Sequence, residues 1–334
     1  TPIYYEKSSP AGKIADEMVT VGVLGENSAL AAVEIQQVES YPTLWVLGDS
    51  TVTDGNTTLP FFQLQNCTGV GTGLTKYLPR DMAMVNEGEG GLNAADNYHF
   101  NMVKDRIKAG DYMYVEYGHN HKSDGPSGYK SHLDKYYNAC HAVGAKLIIV
   151  SPVQSINSWN TTTNKWNDRF GGENNFEGAG RSYVEEKVAA GADDVAFVNL
   201  TKASVAFVDK VTADNGNVKT AAQFYYQTSK GGGTDSSHPN DAGAENFAYC
   251  FFKAAKEVTD ETQAAVLKPI LDNMTDEMPN LVSQEIIDGG IGGTAWPQYI
   301  VPTSEKYPVL INDIIFNEDG TVKQVDVTTR AAEI

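Results

Sequence analysis

Five short apolar runs, separated by stretches with helical spacing, occupy the middle of this chain. Each run is four to six residues long, the length of a β-strand rather than of a buried helix. Strands that alternate with helices form parallel sheets, because each strand needs a crossover to return to the same edge. The pattern therefore predicts an α/β fold built on a parallel sheet. The runs are residues 44–47, 82–85, 112–117, 147–150 and 195–200.

Helical segments are predicted between and after these runs. Apolar residues recur at helical spacing over residues 93–108 and 128–143, where Gly144 then supplies a stop. A last helix is predicted after Asn240 or Asp241, since either residue is a good N-cap. These segments supply the crossovers that a parallel sheet needs.

A long polar stretch interrupts the alternation at residues 155–180. It is rich in Asn, Thr, Trp and Gly and has no clear periodicity. Loops of this length in compact domains are usually functional, and this one follows the carboxyl end of a predicted strand. One interpretation is that Trp159, Trp166, Arg169 and Arg181 form a wall of a substrate site. The other is that the stretch covers a hydrophobic seam on the surface.

The two ends of the chain differ from the middle. Residues 1–41 hold two apolar segments around a turn-like sequence, and we expect a strand-rich N-terminal extension. Residues 42–260 would form the main domain. Residues 261–334 would add a helix and a β-hairpin, with strands at 309–316 and 322–327.

The charge balance excludes some partners. In 334 residues, Lys and Arg total 25 and Asp and Glu total 43, which gives a formal net charge of −18. That charge opposes nonspecific attraction to nucleic acid and to an anionic membrane surface. No apolar run approaches the roughly 20 residues that span a bilayer. We therefore expect neither nucleic acid nor a membrane as a partner.

Three cysteines are too few for a disulfide framework. Cys140 and Cys250 lie in apolar helical patterns, where free cysteine behaves as a small apolar side chain. We interpret both as packing residues.

The first apolar run leads directly into Gly48-Asp49-Ser50. A turn at this point would lift the Ser50 hydroxyl out of the backbone, and the small Gly48 would permit it. A serine hydroxyl is a poor nucleophile near neutral pH and needs a base within hydrogen-bond reach. Taken alone, the tripeptide is more typical of a helix cap. Asp49 is best interpreted as a neighbour that shapes the turn.

A base and an acid to orient it are available near the far end of the main domain. Asp235 and His238 are three residues apart in a predicted loop before the last helix. At that spacing the carboxylate can bond one ring nitrogen, which fixes the tautomer and leaves the other nitrogen free. As an isolated pair, a capped and solvated turn is the simpler interpretation.

Donors for a developing negative oxygen follow two other strands. Residues 118–121 open the carboxyl end of the third run, where sites in open sheets lie. The Asn120 side-chain amide can donate there, and Gly90 and Gly91, after the second run, can bring a backbone N–H close. Chemistry of this kind needs no cofactor, and none is predicted.

Together these residues resemble the SGNH hydrolases, also called the GDSL family. Gly48-Asp49-Ser50 matches the first sequence block of that family, Gly91 the second, Gly118-His119-Asn120 the third, and Asp235-Ser236-Ser237-His238 the fifth. The resemblance covers residues 43–258 and leaves both ends of the chain unexplained.

The resemblance implies a fold and a role for each residue. The fold would be a three-layer, flavodoxin-like sheet with a shallow, open site. Ser50 would be the nucleophile, His238 the general base and acid, and Asp235 its orienting acid. The N–H groups of Ser50 and Gly91 and the side chain of Asn120 would form the oxyanion hole.

Within the family, the chain is most similar to rhamnogalacturonan acetylesterases, through residues 48–52, 115–120 and 238–244. Two positions depart from that pattern. Leu92 stands where the pectin-specific relatives usually have Arg, which loses a cation suited to a uronate carboxylate. His121 stands where they usually have Asp. Both departures leave ester chemistry intact and leave the polysaccharide open.

A metal site is one alternative. His119, His121, Asp235 and His238 could hold a metal ion, since His-x-His on a strand puts both rings on one face. That interpretation would leave Ser50 without a role.

Two further alternatives keep the fold and change the function. In a carbohydrate-binding protein without catalysis, Trp159, Trp166 and Trp296 would stack on sugars. A lipase or thioesterase of the same fold would need a long apolar groove, and the polar stretch at residues 155–180 favours a sugar instead.

The predicted function is removal of acetyl groups from a plant cell-wall polysaccharide, either pectin, rhamnogalacturonan or xylan, through an acetyl-serine intermediate. The partner would be an acetylated polysaccharide or oligosaccharide. We expect a secreted, periplasmic or cell-surface enzyme that is a monomer or part of a larger multidomain enzyme. The residues predicted to contact the substrate are His119, His121, Leu92, Trp159, Trp166 and Arg169.

Overall fold

The chain is described here by a computed structural model that covers several separate segments. The predicted N-terminal extension, residues 1–41, lies outside them except for its last residue. Cys67, Trp296 and the predicted hairpin turn at residues 317–320 also lie outside. The described residues are 41–53, 68–79, 81–157, 159–215, 219–222, 224–229, 233–272, 309–316 and 322–329.

The strands coincide with segments rich in β-branched and aromatic residues. In chain order they are β1 (Thr43–Gly48), β2 (Ala83–Asn86), β3 (Tyr112–Glu116), β4 (Lys146–Val150), β5 (Trp159–Asn160), β6 (Lys165–Trp166), β7 (Val195–Val198), β8 (Tyr225–Ser229), β9 (Gly233–Pro239), β10 (Val309–Phe316) and β11 (Val322–Thr329).

Several helices begin and end at the caps that the sequence predicts. The Asn240 side chain accepts a hydrogen bond from the Gly243 N–H at 2.9 Å, as an N-cap should. Gly144 ends another helix in a left-handed conformation, with a φ of 76°. Among the described residues, no helix is both long and apolar enough to cross a membrane. The helices are α1 (Val70–Leu74), α2 (Tyr98–Lys104), α3 (Gly125–Ser131), α4 (Leu133–Val143), α5 (Phe176–Ala189), α6 (Leu200–Asn215), α7 (Lys219–Ala222), α8 (Asp241–Lys256) and α9 (Glu261–Leu271).

Five strands form one parallel sheet in the order β2-β1-β3-β4-β7. Counted within the sheet alone, this is the 2-1-3-4-5 order of flavodoxin-like folds, and it confirms the predicted α/β class. Because the strands are parallel, their carboxyl ends lie along the same edge. The loops that carry Ser50, Gly91 and Asn120 leave the sheet at that edge, after β1, β2 and β3.

Alternate residues of each strand face two separate apolar cores. Along β1, Leu44 and Val46 belong to the first core, while Trp45 and Leu47 belong to the second. The first core includes residues of α1, α6, α8 and α9, and the second includes residues of α2, α3, α4 and α5. The sheet is therefore the middle of three layers.

A buried carboxylate joins the starts of β1 and β3. Asp111 Oδ1 accepts a hydrogen bond from the Thr43 N–H at 2.9 Å. Asp111 Oδ2 accepts from the Trp45 Nε1–H at 3.0 Å and from the Lys108 N–H at 3.1 Å. These charge-assisted bonds satisfy a fully buried side chain and fix the two strands relative to each other.

Two segments that the sequence predicts as irregular contain regular structure. Within residues 155–180, β5 and β6 form a short hairpin, and α5 begins at Phe176. Asp235 and His238, which are predicted to lie in a loop, lie on β9, and β9 pairs antiparallel with β8. Strand pairing of this kind depends on a partner elsewhere in the chain, so local periodicity does not reveal it.

Helix α9 packs into the first core. Val266, Leu267 and Ile270 are buried there. The Gln263 side-chain oxygen accepts a hydrogen bond from the Phe197 N–H of β7 at 3.0 Å. Helix α9 is therefore part of the main unit.

A second compact unit is described only by its hairpin. Strands β10 and β11 pair antiparallel, which confirms the two strands that the sequence predicts. The register shifts between Ile311 and Asp313 and again between Ile315 and Phe316. Each shift marks a bulge or irregularity in the ladder.

We predict that Asp111→Ala destabilises the fold. The variant leaves the Thr43 and Trp45 N–H groups without an acceptor, and the free energy of unfolding, measured in urea, should fall by about 2–4 kcal/mol. Asp105→Ala, at an exposed position, is the matched control. It should change the free energy by less than about 0.5 kcal/mol. Equal stabilities of the two variants would contradict the role of Asp111.

Candidate active site

Ser50 lies in a tight turn at the carboxyl end of β1. The Val52 and Thr53 N–H groups donate to the Asp49 carbonyl at 3.0 and 3.3 Å. Asp49 Oδ1 accepts from the Thr51 N–H at 3.0 Å and from the Thr51 hydroxyl at 2.8 Å. Asp49 therefore shapes the turn, and Ser50 is left half-buried at the sheet edge.

Gly48 is required where this turn meets β3. A Cβ atom at Gly48 would lie 2.5 Å from Val52 Cγ2 and 2.8 Å from the Glu116 carbonyl oxygen. Both distances are shorter than van der Waals contact in a close-packed interior. No larger residue fits without moving the backbone, so the glycine keeps the Ser50 turn against the sheet.

A chain of hydrogen bonds joins Ser50, His238 and Asp235. His238 Nε2 lies 2.7 Å from Ser50 Oγ, and His238 Nδ1 lies 2.8 Å from Asp235 Oδ2. Because a carboxylate can only accept, the ring carries its proton on Nδ1, and Nε2 accepts from the serine hydroxyl. The fold thus brings together the three residues predicted as nucleophile, base and orienting acid.

Backbone groups hold the Asp235 carboxylate in place. Asp235 Oδ1 accepts from the Ser237 N–H at 2.7 Å and from the His238 N–H at 2.9 Å. One carboxylate oxygen therefore binds the backbone while the other binds the imidazole ring. This arrangement leaves the ring little freedom to rotate away from Ser50.

The pairing shifts the pKa values of both partners. The hydrogen bond to Asp235 raises the pKa of His238, against an opposing effect of burial. Burial would raise the pKa of Asp235, but bonds from the His238 ring and from the His238 and Ser237 N–H groups outweigh it and lower the pKa to about 2. Asp235 is therefore ionised at neutral pH and stabilises the imidazolium that forms when His238 accepts a proton.

The loop of Gly91 lies beside Ser50. A Cβ atom on Gly90 would be 3.9 Å from Ser50 Cβ, and Gly91 has a φ of 82°, a conformation that favours glycine. Within the described residues, the Ser50 and Gly91 N–H groups donate to no protein acceptor. Both are available to an oxygen atom of a substrate.

Asn120 connects the loop after β3 to the loop after β2. Its Nδ2 donates to the Leu92 carbonyl oxygen at 2.9 Å. A side-chain amide carries two hydrogens, so one remains for another acceptor. Leu92 itself is half-buried and packs against the second core.

His119 is buried and packed rather than open to a substrate. Its Nε2 lies 3.1 Å from the Val153 carbonyl oxygen, and its ring centroid is 4.4 Å from that of Phe170. Burial lowers the pKa of His119, against the charge of Asp49. A neutral ring that donates from Nε2 fits this position, and its Nδ1 bonds to no group of the described residues.

His121 has no free ring nitrogen. Its side chain is fully buried, Nε2 accepts from the Ala94 N–H at 2.9 Å, and Nδ1 lies 3.0 Å from Asp124 Oδ1. Both ring nitrogens are already bonded within the protein. The prediction that His121 contacts the substrate is therefore corrected.

The two tryptophans of the polar stretch cover a hydrophobic seam. Trp166 is buried in the first core, and its Nε1–H donates to Thr212 Oγ1 at 2.9 Å. Trp159 packs edge-on against Trp166, with ring centroids 5.2 Å apart. The second of the two interpretations of this stretch holds for Trp166, which has no exposed face for a sugar.

Arg169 is an exposed cation of this stretch. Its guanidinium carbon lies 5.0 Å from the centroid of the Phe170 ring, and no carboxylate of the described residues pairs with it. Together with the larger effect of burial, the Arg169 charge lowers the pKa of His119. Arg181, by contrast, pairs with Glu173 and Glu185.

One buried carboxyl group next to the site escaped the sequence analysis. Glu116 Oε1 accepts from the Val153 N–H at 2.9 Å, and Oε2 bonds to the Tyr114 hydroxyl. Burial raises the pKa of Glu116 to about 8, against the effect of these bonds. The group therefore keeps its proton at neutral pH. Its signal in the sequence was a single Glu within an otherwise apolar strand.

In the described part of the chain, no three His, Cys, Asp or Glu side chains converge as metal ligands. The rings that the metal interpretation would use are bonded elsewhere. His119 bonds to Val153, His121 to Ala94 and Asp124, and His238 to the other two members of its hydrogen-bonded chain. The two buried cysteines, Cys140 and Cys250, are free, as expected of packing residues.

An open parallel sheet with a Ser–His–Asp chain at its carboxyl edge is the architecture of serine ester hydrolases. The family model of GDSL-like lipases and acylhydrolases matches residues 44–251. The chain belongs to this family of carboxylic ester hydrolases, which confirms the family resemblance of its motifs. Similarity to rhamnogalacturonan acetylesterases in particular stays a prediction.

Solved structures share the fold at low sequence identity. Protein YxiM of Bacillus subtilis is 20% identical with a TM-score of 0.51, and the match covers 65% of this chain and 56% of that one. For the salicylyl-acyltransferase SsfX3 of a tetracycline biosynthetic pathway, the values are 13%, 0.46, 70% and 58%. For Axe2, an acetylxylan esterase of Geobacillus stearothermophilus, they are 16%, 0.40, 64% and 93%. A comparison with curated protein sequences gives no match.

We predict that Asp235→Asn slows ester hydrolysis and shifts its pH dependence. His238 must be neutral to act as a base, so kcat/KM of the wild type should rise with pH around a pKa above about 6.5. Asn cannot stabilise the imidazolium, so kcat should fall by about 10²- to 10⁴-fold and the midpoint should move to lower pH. The measurement is kcat/KM for p-nitrophenyl acetate across this range, with Asp105→Asn as control. An unchanged midpoint would contradict the pairing of Asp235 with His238.

Proposed function

We propose that the chain removes acetyl groups from a plant cell-wall polysaccharide, with Ser50 as the nucleophile. The observation that carries this proposal is the 2.7 Å distance between Ser50 Oγ and His238 Nε2, two residues 188 positions apart in the chain. Their partner Asp235 completes an arrangement that activates a serine hydroxyl.

In the first half of the reaction, Ser50 Oγ attacks the carbonyl carbon of the acetyl ester while His238 Nε2 takes the hydroxyl proton. The carbonyl oxygen becomes an oxyanion, which the Ser50 and Gly91 N–H groups and the second hydrogen of Asn120 Nδ2 stabilise. Collapse of this intermediate breaks the bond to the sugar oxygen. The imidazolium of His238 returns the proton to that oxygen, and the sugar leaves with a free hydroxyl.

In the second half, a water molecule replaces the sugar. His238 Nε2 takes a proton from the water, and the resulting oxygen nucleophile attacks the acetyl-Ser50 carbonyl in the same oxyanion hole. Collapse of this second intermediate breaks the bond between the acetyl carbon and Ser50 Oγ, the His238 imidazolium returns the proton to Ser50 Oγ, and acetic acid leaves. Throughout both halves Asp235 stays ionised, because its pKa is about 2.

An exposed aromatic ring after β2 supports a carbohydrate substrate. Tyr98, the first residue of α2, is 60% exposed. Its ring centroid lies 5.1 Å from that of His99, whose Nε2 lies 2.7 Å from Glu89 Oε2, one residue before Gly90. An exposed aromatic ring held in this way offers a flat apolar face to a pyranose.

Arg169 would contribute polar recognition. Its guanidinium is exposed and free of carboxylate partners among the described residues, and its five N–H donors suit sugar hydroxyls or a uronate carboxylate. It would replace the cation that Leu92 does not provide. Because such polymers lie outside the cell, the proposal also implies a secreted, periplasmic or cell-surface enzyme.

We predict that Ser50→Ala abolishes acetyl release. Activity on p-nitrophenyl acetate, acetylated xylan and acetylated pectin should fall by at least about 10³-fold, because the acyl-enzyme forms on the Ser50 hydroxyl. Ser131→Ala, which changes a surface hydroxyl of α3, should retain wild-type rates. Full activity of Ser50→Ala would refute the mechanism. A wild-type preference for p-nitrophenyl esters of long acyl chains would refute the substrate class.

We also predict that Tyr98→Ala and Arg169→Ala impair only the polymeric substrate. Each should raise KM for the preferred acetylated polysaccharide by about tenfold, equal to about 1.4 kcal/mol of binding, and leave p-nitrophenyl acetate unaffected. Tyr41→Ala, which changes an exposed tyrosine before β1 at the opposite end of the strand, is the control for Tyr98. Equal losses on both substrates would show that these residues do not bind the sugar.

A further inference from the structure

We infer that His121 is a positioning residue for the oxyanion hole, because it holds the loop of Gly91 in place through the Ala94 N–H. The inference rests on the proposed function of Ser50. It concerns a side chain that has no surface for a substrate and nevertheless bonds to the loop of Gly91, as does the preceding residue, Asn120.

Two consecutive side chains of the turn after β3 hold the same loop. Asn120 Nδ2 donates to the Leu92 carbonyl oxygen at 2.9 Å, and His121 Nε2 accepts from the Ala94 N–H at 2.9 Å. From the other side, the Tyr136 hydroxyl donates to the Ala94 carbonyl oxygen at 2.9 Å. These bonds lie one and three residues after Gly91, so they determine where the Gly91 N–H lies.

Side-chain packing does not fix the position of Gly91. A Cβ atom built on Gly91 would meet no other atom within 4 Å, and the residue is exposed with a positive φ. A loop that is open on this side depends on its hydrogen bonds for a fixed position. The hydrogen bond from the Ala94 N–H to His121 is buried. A buried N–H group without an acceptor is unfavourable, so without His121 the loop would shift until the Ala94 N–H reached another acceptor.

Asp124 fixes the tautomer that this role requires. A ring nitrogen accepts from the Ala94 N–H only when it carries no hydrogen, so the ring proton must be on Nδ1. Nδ1 lies 3.0 Å from Asp124 Oδ1. The hydrogen bond from His121 lowers the pKa of Asp124. The carboxylate is therefore ionised and accepts a hydrogen bond from the His121 Nδ1–H group. In this chain of hydrogen bonds, the Ala94 N–H therefore donates to His121, and His121 donates to Asp124.

Aromatic neighbours keep the ring from swinging away. The His121 ring centroid lies 5.6 Å from Tyr129, 5.8 Å from Phe176 and 6.4 Å from His132. With its side chain fully buried, the ring has little room to move. Its fixed position matters, because a displacement of about 1 Å at a catalytic group can cost about 100-fold in rate.

The test compares two replacements of His121. Phe keeps the volume of the ring and removes the acceptor, so kcat for p-nitrophenyl acetate should fall about 10- to 100-fold while KM changes less than about threefold. Gln retains an acceptor at the reach of Nε2, so His121→Gln should recover kcat to within about fivefold of wild type. His141→Phe, at an exposed position of α4, is the matched control.

A second readout separates loop position from a general loss of folding. Phenylboronic acid forms a tetrahedral adduct with a reactive serine and needs the same oxyanion donors, so its inhibition constant for His121→Phe should rise by the factor by which kcat falls. In a double-mutant cycle with Asn120→Ala, the combined loss should be smaller than the product of the single losses, because both act on one hole.

Several results would overturn the inference. They are wild-type kcat in His121→Phe, equal impairment in His121→Gln and His121→Phe, or an unchanged inhibition constant for the boronic acid. Failure of the proposed function would look different. In that case Ser50→Ala would retain hydrolysis of p-nitrophenyl acetate, whatever the His121 variants do.

Discussion

The geometry of the site depends on how closely β1 and β3 approach each other at Gly48. Any side chain there would collide with the Glu116 carbonyl and with Val52. Without one, the Ser50 turn lies directly beside the loop that leaves β3. That loop brings Asn120, which in turn bonds to the loop that leaves β2. Because Gly48 has no side chain, the loops after three parallel strands place the nucleophile and its oxyanion donors at the same edge of the sheet.

The base reaches this edge by a different route. His238 lies on β9, outside the parallel sheet, and the hairpin of β8 and β9 is bound to the loop that leaves β4. The Ile156 N–H donates to the Ser236 carbonyl at 2.8 Å, and the Tyr225 hydroxyl donates to the Gln154 carbonyl at 2.6 Å. The loop after β4 thus supports the hairpin that carries the base.

Local sequence was sufficient for features that depend on local physics. The five sheet strands, the Asn240 cap and the Gly144 stop were all predicted from periodicity and cap chemistry, and the motif residues Ser50, Asp235 and His238 do meet. The errors involve contacts between distant residues. His121 meets Ala94 across 27 positions and Trp166 meets Thr212 across 46. Neither contact produces a periodic pattern in the sequence. The sequence therefore predicts that His121 and Trp166 contact the substrate, whereas both are bonded within the protein.

Rate and stability respond to pH in opposite directions at this site. His238 must lose its proton to act as a base, and since Asp235 raises its pKa above 6.5, the rate grows as pH rises through that raised value. The same shift stabilises the fold fully below 6.5, and the contribution is lost as pH rises. Glu116 acts in the same sense, because its pKa rises from 4.5 to about 8 and stability falls across that window. Above pH 6.5, the raised pKa values of His238 and Glu116 therefore lower stability as pH rises, while loss of the His238 proton raises the rate.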